Sequence, residues 1–373
     1  MNMLKTKGLE GVVATTSSVS AIENGVLTYG GINVDDLADY SSFEEVVYLL
    51  WNHQLPTAEQ LAEFSKELNE NALIPQELIS QMKQLPLEDT HPMAVLRTCI
   101  STLSLYDKEA DKLDKLSNYK KAVRLQAKIP TIVAAYSRIC AGEEPVMPKA
   151  ELSFSANFLY MLTEEEPDQT SEQAFNKALV LHADHELNAS TFTSRVCVAT
   201  LSDIYSGITA AIGALKGPLH GGANEQVMKM LLEIDQIERI EPYLHKAFDN
   251  KEKIMGFGHR VYKYGDPRAK HLREMSKQLA VITGEDKWYQ ISTLIESILK
   301  EEKGLLPNVD FYSATVYHYL GIPSKLFTPI FAISRTSGWI AHIMEQYENN
   351  RLIRPRADYV GLKNQPYVPL NQR

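Results

Sequence analysis

A chain of 373 residues, 44% hydrophobic and 23% charged, has the balance of a globular protein with room for a large core and two domains. A formal net charge of −9 argues against non-specific nucleic-acid binding. No uninterrupted apolar run reaches bilayer length, Met1–Gly8 holds no apolar signal core, and three scattered cysteines (Cys99, Cys140, Cys197) lack any metal-ligand spacing, so a cytoplasmic protein without a membrane partner is expected.

The N-terminal stretch reads as extended. Val12–Thr16 and Gly25–Tyr29 flank the turn signal Glu23-Asn24-Gly25, which predicts a short hairpin. The period is helical from there on. Ser42 and Glu45 form a capping box ahead of Phe43, Val46, Val47 and Leu50. Thr57 and Gln60 repeat that signal ahead of Leu61, Phe64 and Leu68. Pro92 suits the first turn of a helix carrying Met93, Leu96, Ile100 and Leu103. The stretch 119–139 keeps the helical period, and Pro130 inside it predicts a kink or a split. Ala199, Ser202, Ser206, Ala210, Gly213 and Gly217 read as a stripe of small residues on one helix, suited to close packing within the chain or across a subunit interface. Few later stretches alternate as strands do. The expected fold class is all-α, mainly helical, with a small N-terminal β-hairpin.

Several segments can carry chemistry. His182 and His185, three apart, read as one face of a helix. That pattern suggests a metal, but the spacing is not HExxH and no third ligand follows, so no metal is expected. His220 stands between Pro218-Leu219 and the pair Gly221-Gly222, just before the helical pattern of Val227, Met230, Leu231 and Ile234. A lone histidine is usually structural. Here the glycines permit close approach to a ligand, and a helix N-terminus disfavours the imidazolium. A neutral histidine can donate to a developing enolate oxygen.

Between Lys251 and Arg273, seven basic residues (Lys251, Lys253, Arg260, Lys263, Arg268, Lys270, Arg273) face two acids, Glu252 and Asp266, a local charge of +5. A solvated basic face and a site for a polyanion both fit. The segment Ile254–Tyr262 has two glycines but neither the third glycine of a dinucleotide fingerprint nor a preceding strand. Its glycines suit backbone N–H contact with an anionic or nucleotide-like ligand. Asp310, among Val309, Phe311 and Tyr312, is either a helix cap or a general base whose apolar surroundings raise its pKa. Arg268, Arg335 and Arg354 together can hold the two carboxylates of a small dianion.

In this order, HADHELNAS, GPLHGGANE, MGFGHRVYK with GDPRA, PNVDFYSA, ISRTSGWIAH and RPRADYVG resemble the citrate synthase family, in the short form of Gram-positive bacteria and archaea. The resemblance spans nearly the whole chain. It implies a large helical domain of residues 1–217 and 326–373, with a smaller domain, 218–325, inserted and closing over the substrates. Gly221-Gly222 and Gly321-Ile322-Pro323 are the hinge candidates. It further implies that Asp310 removes a methyl proton from acetyl-CoA, that His220 hydrogen-bonds the thioester oxygen, and that His259 polarises the oxaloacetate carbonyl. His185, Arg268, Arg335 and Arg354 would bind oxaloacetate, and Glu252, Lys253, Ile254, Met255, Gly256, Phe257 and Gly258 would lie against CoA. No permanently bound cofactor is implied; acetyl-CoA and CoA are substrate and product. A homodimer is expected, with Arg354 acting in trans. The N-terminal extension of larger NADH-regulated relatives has no counterpart, so that regulation is not expected. The competing readings are a 2-methylcitrate synthase using propionyl-CoA, a metal-dependent hydrolase using His182, His185 and Asp310, and a non-catalytic CoA-binding regulator.

Overall fold

The computed structural model describes residues 7–9, 11–259 and 261–373. The stretch Met1–Thr6, Glu10 and one cation of the basic segment, Arg260, lie outside the described residues. Among those described, the chain is all-α apart from one small antiparallel sheet, as expected.

The sheet holds β1 (Ser20–Glu23), β2 (Val26–Tyr29) and β3 (Ile32–Asn33) in that order. Asn24 and Gly25 form the β1–β2 turn with φ of 53° and 81°, the left-handed pair that two-residue hairpins require. The turn was therefore read correctly, but the first strand was not. Val12–Thr16 forms no strand, and Val13 is exposed. A two-residue turn pairs the residues directly next to it, here Glu23 with Val26 through Ser20 with Tyr29.

The first ten helices are α1 (Val34–Tyr40), α2 (Phe43–Asn52), α3 (Ala58–Glu70), α4 (Gln76–Lys83), α5 (Pro92–Tyr106), α6 (Lys115–Cys140), α7 (Phe154–Thr163), α8 (Gln169–His182), α9 (Ala189–Val198) and α10 (Ile204–Leu215). Next come α11 (Ala223–Ile234), α12 (Ile240–Asp249), α13 (Ala269–Thr283), α14 (Lys287–Lys303) and α15 (Val309–Tyr319), which pack mainly on one another. Helices α13 and α15 also rest on α8. Last is α16 (Phe327–Glu348), buried on nearly every side against α2, α6, α8, α9 and α10. Residues 349–373 run exposed and mostly without regular structure.

Both capping boxes form. Ser42 Oγ accepts from the Glu45 N–H while the Glu45 carboxylate accepts from the Ser42 N–H. Thr57 and Gln60 do the same, each pair satisfying N–H groups that have no partner within the helix. Pro92 opens α5. Pro130 does not split α6, which continues through it for 26 residues. Proline in a helix interior costs about 3 kcal/mol. Burying Ile129, Ile132 and Val133 on the same turns offsets that, at roughly 1.5–3 kcal/mol per side chain.

The small-residue stripe is not one helix. Ala199 and Ser202 fall between α9 and α10. The close approach is made instead at Gly207, where a Cβ would come within 2.7 Å of Val198 and 2.9 Å of Ile343, so it serves packing inside the chain.

Gly338 of α16 seats the loop that follows α8. Its N–H donates to the Ala183 carbonyl at 3.2 Å. A Cβ there would sit 2.3 Å from Asp184 Oδ1 and 2.6 Å from the Ala183 oxygen. Gly→Ala in a helix interior ordinarily stabilises by about 1 kcal/mol. Gly338→Ala should instead destabilise, by roughly 1–3 kcal/mol as overpacking does. Denaturant unfolding measures this; a variant as stable as wild type would show that the 183–184 backbone yields without cost.

Candidate active site

A cleft of about 720 Å³ gathers His185, His220, His259, Arg268, Asp310 and Arg335. They come from six places in the chain: the loop after α8, the turn before α11, the loop before α13, the first residue of that helix's cap, the first turn of α15 and the middle of α16. Val309 and Phe331 are among the apolar lining. Arg354 is not brought there; it lies exposed in the tail. Nor do residues 252–258 line this cleft.

Two of the histidines have their tautomers set by backbone. Ser190 N–H donates to His220 Nε2 at 3.2 Å. That nitrogen is therefore a lone-pair acceptor, and the proton of the neutral ring sits on Nδ1. Ser190 is fixed in turn: Trp339 Nε1 donates to its Oγ at 3.0 Å, and Asn188 Oδ1 lies 2.8 Å from it. Burial, helped by the Arg335 charge, lowers the His220 pKa to about 4. His259 is the mirror case. Its Nδ1 accepts from the Val261 and Tyr262 N–H groups at 3.0 and 3.3 Å, which leaves the proton on Nε2. Burial and the nearby Arg268 lower its pKa too. Near neutral pH both rings are uncharged hydrogen-bond donors.

Asp310 sits in the first turn of α15, whose cap, Asn308, accepts from the Asp310 N–H at 3.0 Å. Cap and candidate base are thus different residues. Burial raises the Asp310 carboxyl to about 6, partly opposed by Arg268 and Arg335.

The two arginines differ. Arg268 is paired: Nε and Nη2 donate to the two Asp266 oxygens at 2.9 and 2.8 Å. Asp266 Oδ2 also accepts from the Val309 N–H at 3.0 Å, tying the start of α13 to the start of α15. Arg335 is buried with its Nε donating to the His182 carbonyl at 2.7 Å and its guanidinium 4.7 Å from the Phe331 ring centroid. Among the described residues it forms no ion pair. Burial pulls its pKa to about 10, which leaves it charged near neutral pH.

His182 and His185 do not share a helix face. Helix α8 ends at His182, whose Nδ1 lies 2.7 Å from the Ala178 carbonyl, and His185 falls in the loop beyond. Among the described residues no three His, Cys, Asp or Glu side chains are grouped as metal ligands. Of the two glycines of the 254–258 segment, Gly256 faces inward, while a Cβ at Gly258 would meet open space. Gly256, at φ +82°, has Val227 and Phe311 where a Cβ would be, at 2.7 and 2.9 Å. The Gly258 N–H donates to the Leu306 carbonyl at 3.0 Å, so it is occupied within the chain. In the basic segment Arg268 pairs with Asp266, Lys270 with Asp35 and Arg273 with Glu296, while Lys251, Lys253 and Lys263 are exposed.

Sequence reasoning passed over Ser190, Tyr262 and Asp266. Each lies inside a segment already singled out, but only packing shows which ring or guanidinium it holds. Asp184 and His342 form a further buried pair at 3.2 Å beneath the cleft, and no spacing announces it.

The family model described as "Citrate synthase, C-terminal domain" matches residues 8–356. Citrate synthase 2 of Bacillus subtilis (strain 168) is 64% identical, over 100% of this chain and 100% of that protein. Citrate/2-methylcitrate synthase of the same organism is 42% identical, over 96% of this chain and 97% of that one. The ternary complex of citrate synthase from Thermoplasma acidophilum with carboxymethyl coenzyme A and oxaloacetate aligns with a TM-score of 0.92 at 36% identity, covering 98% of each chain. With that coverage, the chain belongs to the citrate synthase family of acyltransferases.

Proposed function

We propose that this protein condenses acetyl-CoA with oxaloacetate and hydrolyses the resulting citryl-CoA to citrate and CoA. The observation that carries the reading is Arg335: a buried cation beside the cleft, with no carboxylate paired to it among the described residues, next to two neutral imidazole donors and one carboxyl raised to about 6. A buried charge without a partner is costly, so the site favours an anionic ligand. Arg268, Arg335 and His185 bind the carboxylates and carbonyl of oxaloacetate. Asp310, as carboxylate, takes a methyl proton from acetyl-CoA while His220 Nδ1–H donates to the thioester oxygen. The nucleophilic carbon attacks the oxaloacetate carbonyl carbon, and His259 Nε2–H stabilises the oxygen that becomes the citryl hydroxyl. Water then cleaves the thioester. Nothing in this sequence of steps calls for a permanently bound cofactor. The segment Glu252–Gly258 contributes to the CoA site on closure of residues 218–325 over the rest. The setting is the cytoplasm, which suits three free cysteines.

Asp310→Asn tests the base. Turnover should fall at least ~10²-fold with oxaloacetate binding kept, since the amide cannot accept the proton. The same change should stabilise the fold. The native carboxyl titrates near 6 and the unfolded one near 3.8, so between those values the native state holds the extra proton and stability drops as pH rises. The penalty is complete above the native value, at roughly 3 kcal/mol, and absent below the unfolded one. Unfolding free energies should therefore favour the variant at about pH 8 and match wild type at about pH 3. Near-normal turnover from the folded variant would sink the assignment.

The name of the 64% identical relative favours acetyl-CoA, while the 42% identical relative is named for both products. One methylene in an apolar pocket is worth only ~1–3 kcal/mol, so propionyl-CoA should react measurably. We expect kcat/KM for acetyl-CoA to be higher by about tenfold or more. A higher value with propionyl-CoA would make the protein a 2-methylcitrate synthase.

The tail carries exposed apolar side chains, including Leu352 at 59%, Val360 at 91% and Leu370 at 78%, along with Arg354. Such a surface suits cover by a second copy of the chain. In a homodimer Arg354 completes the partner's oxaloacetate site. Co-expressed Arg354→Ala and Asp310→Asn chains should then form heterodimers with one intact site, regaining up to about half of wild-type activity per dimer. Isolated heterodimers without activity would place Arg354 in its own chain's site.

A further inference from the structure

Tyr262 lies in the segment that carries His259 and has no part in the steps above. It is 5% exposed and does not line the cleft, yet three residues that do line it lie against it. Its hydroxyl shares a 3.1 Å hydrogen bond with His185 Nε2. Its ring centroid is 4.5 Å from that of His259 at an interplanar angle of 39°. The Arg268 guanidinium lies 6.0 Å from the same ring, at the outer range of a cation–π contact. Burying a hydroxyl is costly unless it is hydrogen-bonded, and here the side chain that bonds it is a candidate substrate ligand.

His185 sits in an irregular loop after α8, and His259 in another before α13. Neither ring is oriented by a helix of its own. Tyr262 touches both, one through its hydroxyl and the other through its ring, so it sets the angle between them. The rings are 5.3 Å apart and close to perpendicular, at 63°. Burial keeps the Tyr262 hydroxyl protonated and the His185 ring neutral, so the bond between them persists across the neutral range.

We propose that Tyr262 is a positioning residue of the oxaloacetate site, holding the His185 and His259 imidazoles in register with one another. The inference rests on the proposed function, in which His185 contacts oxaloacetate and His259 polarises its carbonyl. Sites of this kind need their groups held within about 10–20°, and a displacement of about 1 Å can cost ~10²-fold in rate.

The test is a double-mutant cycle of Tyr262→Phe and His185→Gln, with oxaloacetate and acetyl-CoA varied separately. Tyr262→Phe removes the hydroxyl and keeps the ring. It should raise the oxaloacetate KM about tenfold, the worth of one hydrogen bond, and leave kcat and the acetyl-CoA KM within roughly threefold. In the His185→Gln background the same change should add less than about twofold, because the group it acts through is gone. Tyr262→Leu removes the ring as well and should lower kcat by about tenfold or more through His259. A general loss of stability would not produce this selective pattern. A normal oxaloacetate KM for Tyr262→Phe, or an equal penalty in both backgrounds, overturns the inference. If Tyr262→Leu fails to fold, the phenylalanine cycle decides alone. Wild-type protein that does not condense acetyl-CoA with oxaloacetate would instead remove the proposed function itself.

Discussion

A guanidinium held in the centre of a helical core, that of Arg335, is the constraint around which the cleft is organised. Helix α16 is buried on nearly every side, and Arg335 projects from its middle. Taking a charge out of water costs several kcal/mol even after relaxation. The His182 carbonyl and the Phe331 ring face offset part of that cost. Asp184 contributes at longer range, itself buried and bonded to Ser20 and His342. No carboxylate among the described residues neutralises the arginine directly, so the positive potential is left to act on the cleft.

That potential orders the other titrations. Burial and this potential lower the His220 pKa, and burial, Arg268 and then Arg335 lower that of His185. Arg268 does the same to His259. On Asp310 the two influences oppose each other: burial raises the carboxyl while the arginines pull it back, and the balance rests near 6. A carboxylate basic enough to take a proton, yet ionised at neutral pH, is what proton abstraction beside a carbonyl requires. Arg268 avoids the penalty that Arg335 carries, because Asp266 grips it through two hydrogen bonds. The same carboxylate binds the Val309 N–H, so the arginine and the start of α15 are held as one piece.

Backbone N–H groups do the rest. The Ser190 N–H on His220 Nε2 and the two N–H groups on His259 Nδ1 decide which nitrogen carries each proton. An imidazole fixed this way can donate but cannot easily become imidazolium, because its accepting nitrogen is already occupied. Donor chemistry in this cleft is therefore set by main-chain geometry as much as by side-chain identity.

Local signals were read well from sequence alone. The capping boxes at Ser42 and Thr57, the Asn24-Gly25 turn and the helical periodicity depend on residues within a few positions of one another, and no distant contact overrides them. The cleft's six residues were also named from their motifs, since glycine-flanked histidines and scattered arginines form recognisable blocks. Reading failed wherever packing outweighed local preference. Helix α6 runs unsplit through Pro130 because its neighbours are buried, the first strand forms beside its turn rather than at Val12–Thr16, and the small-residue stripe is broken, with Ala199 and Ser202 in the loop before α10. The residue types, their order and the family were thus determined by sequence by itself. Only the tertiary structure decided that Ser190 faces His220, that Tyr262 joins His185 to His259, and that no carboxylate among the described residues pairs with Arg335, because protonation state and tautomer depend on burial and on neighbours distant in the chain.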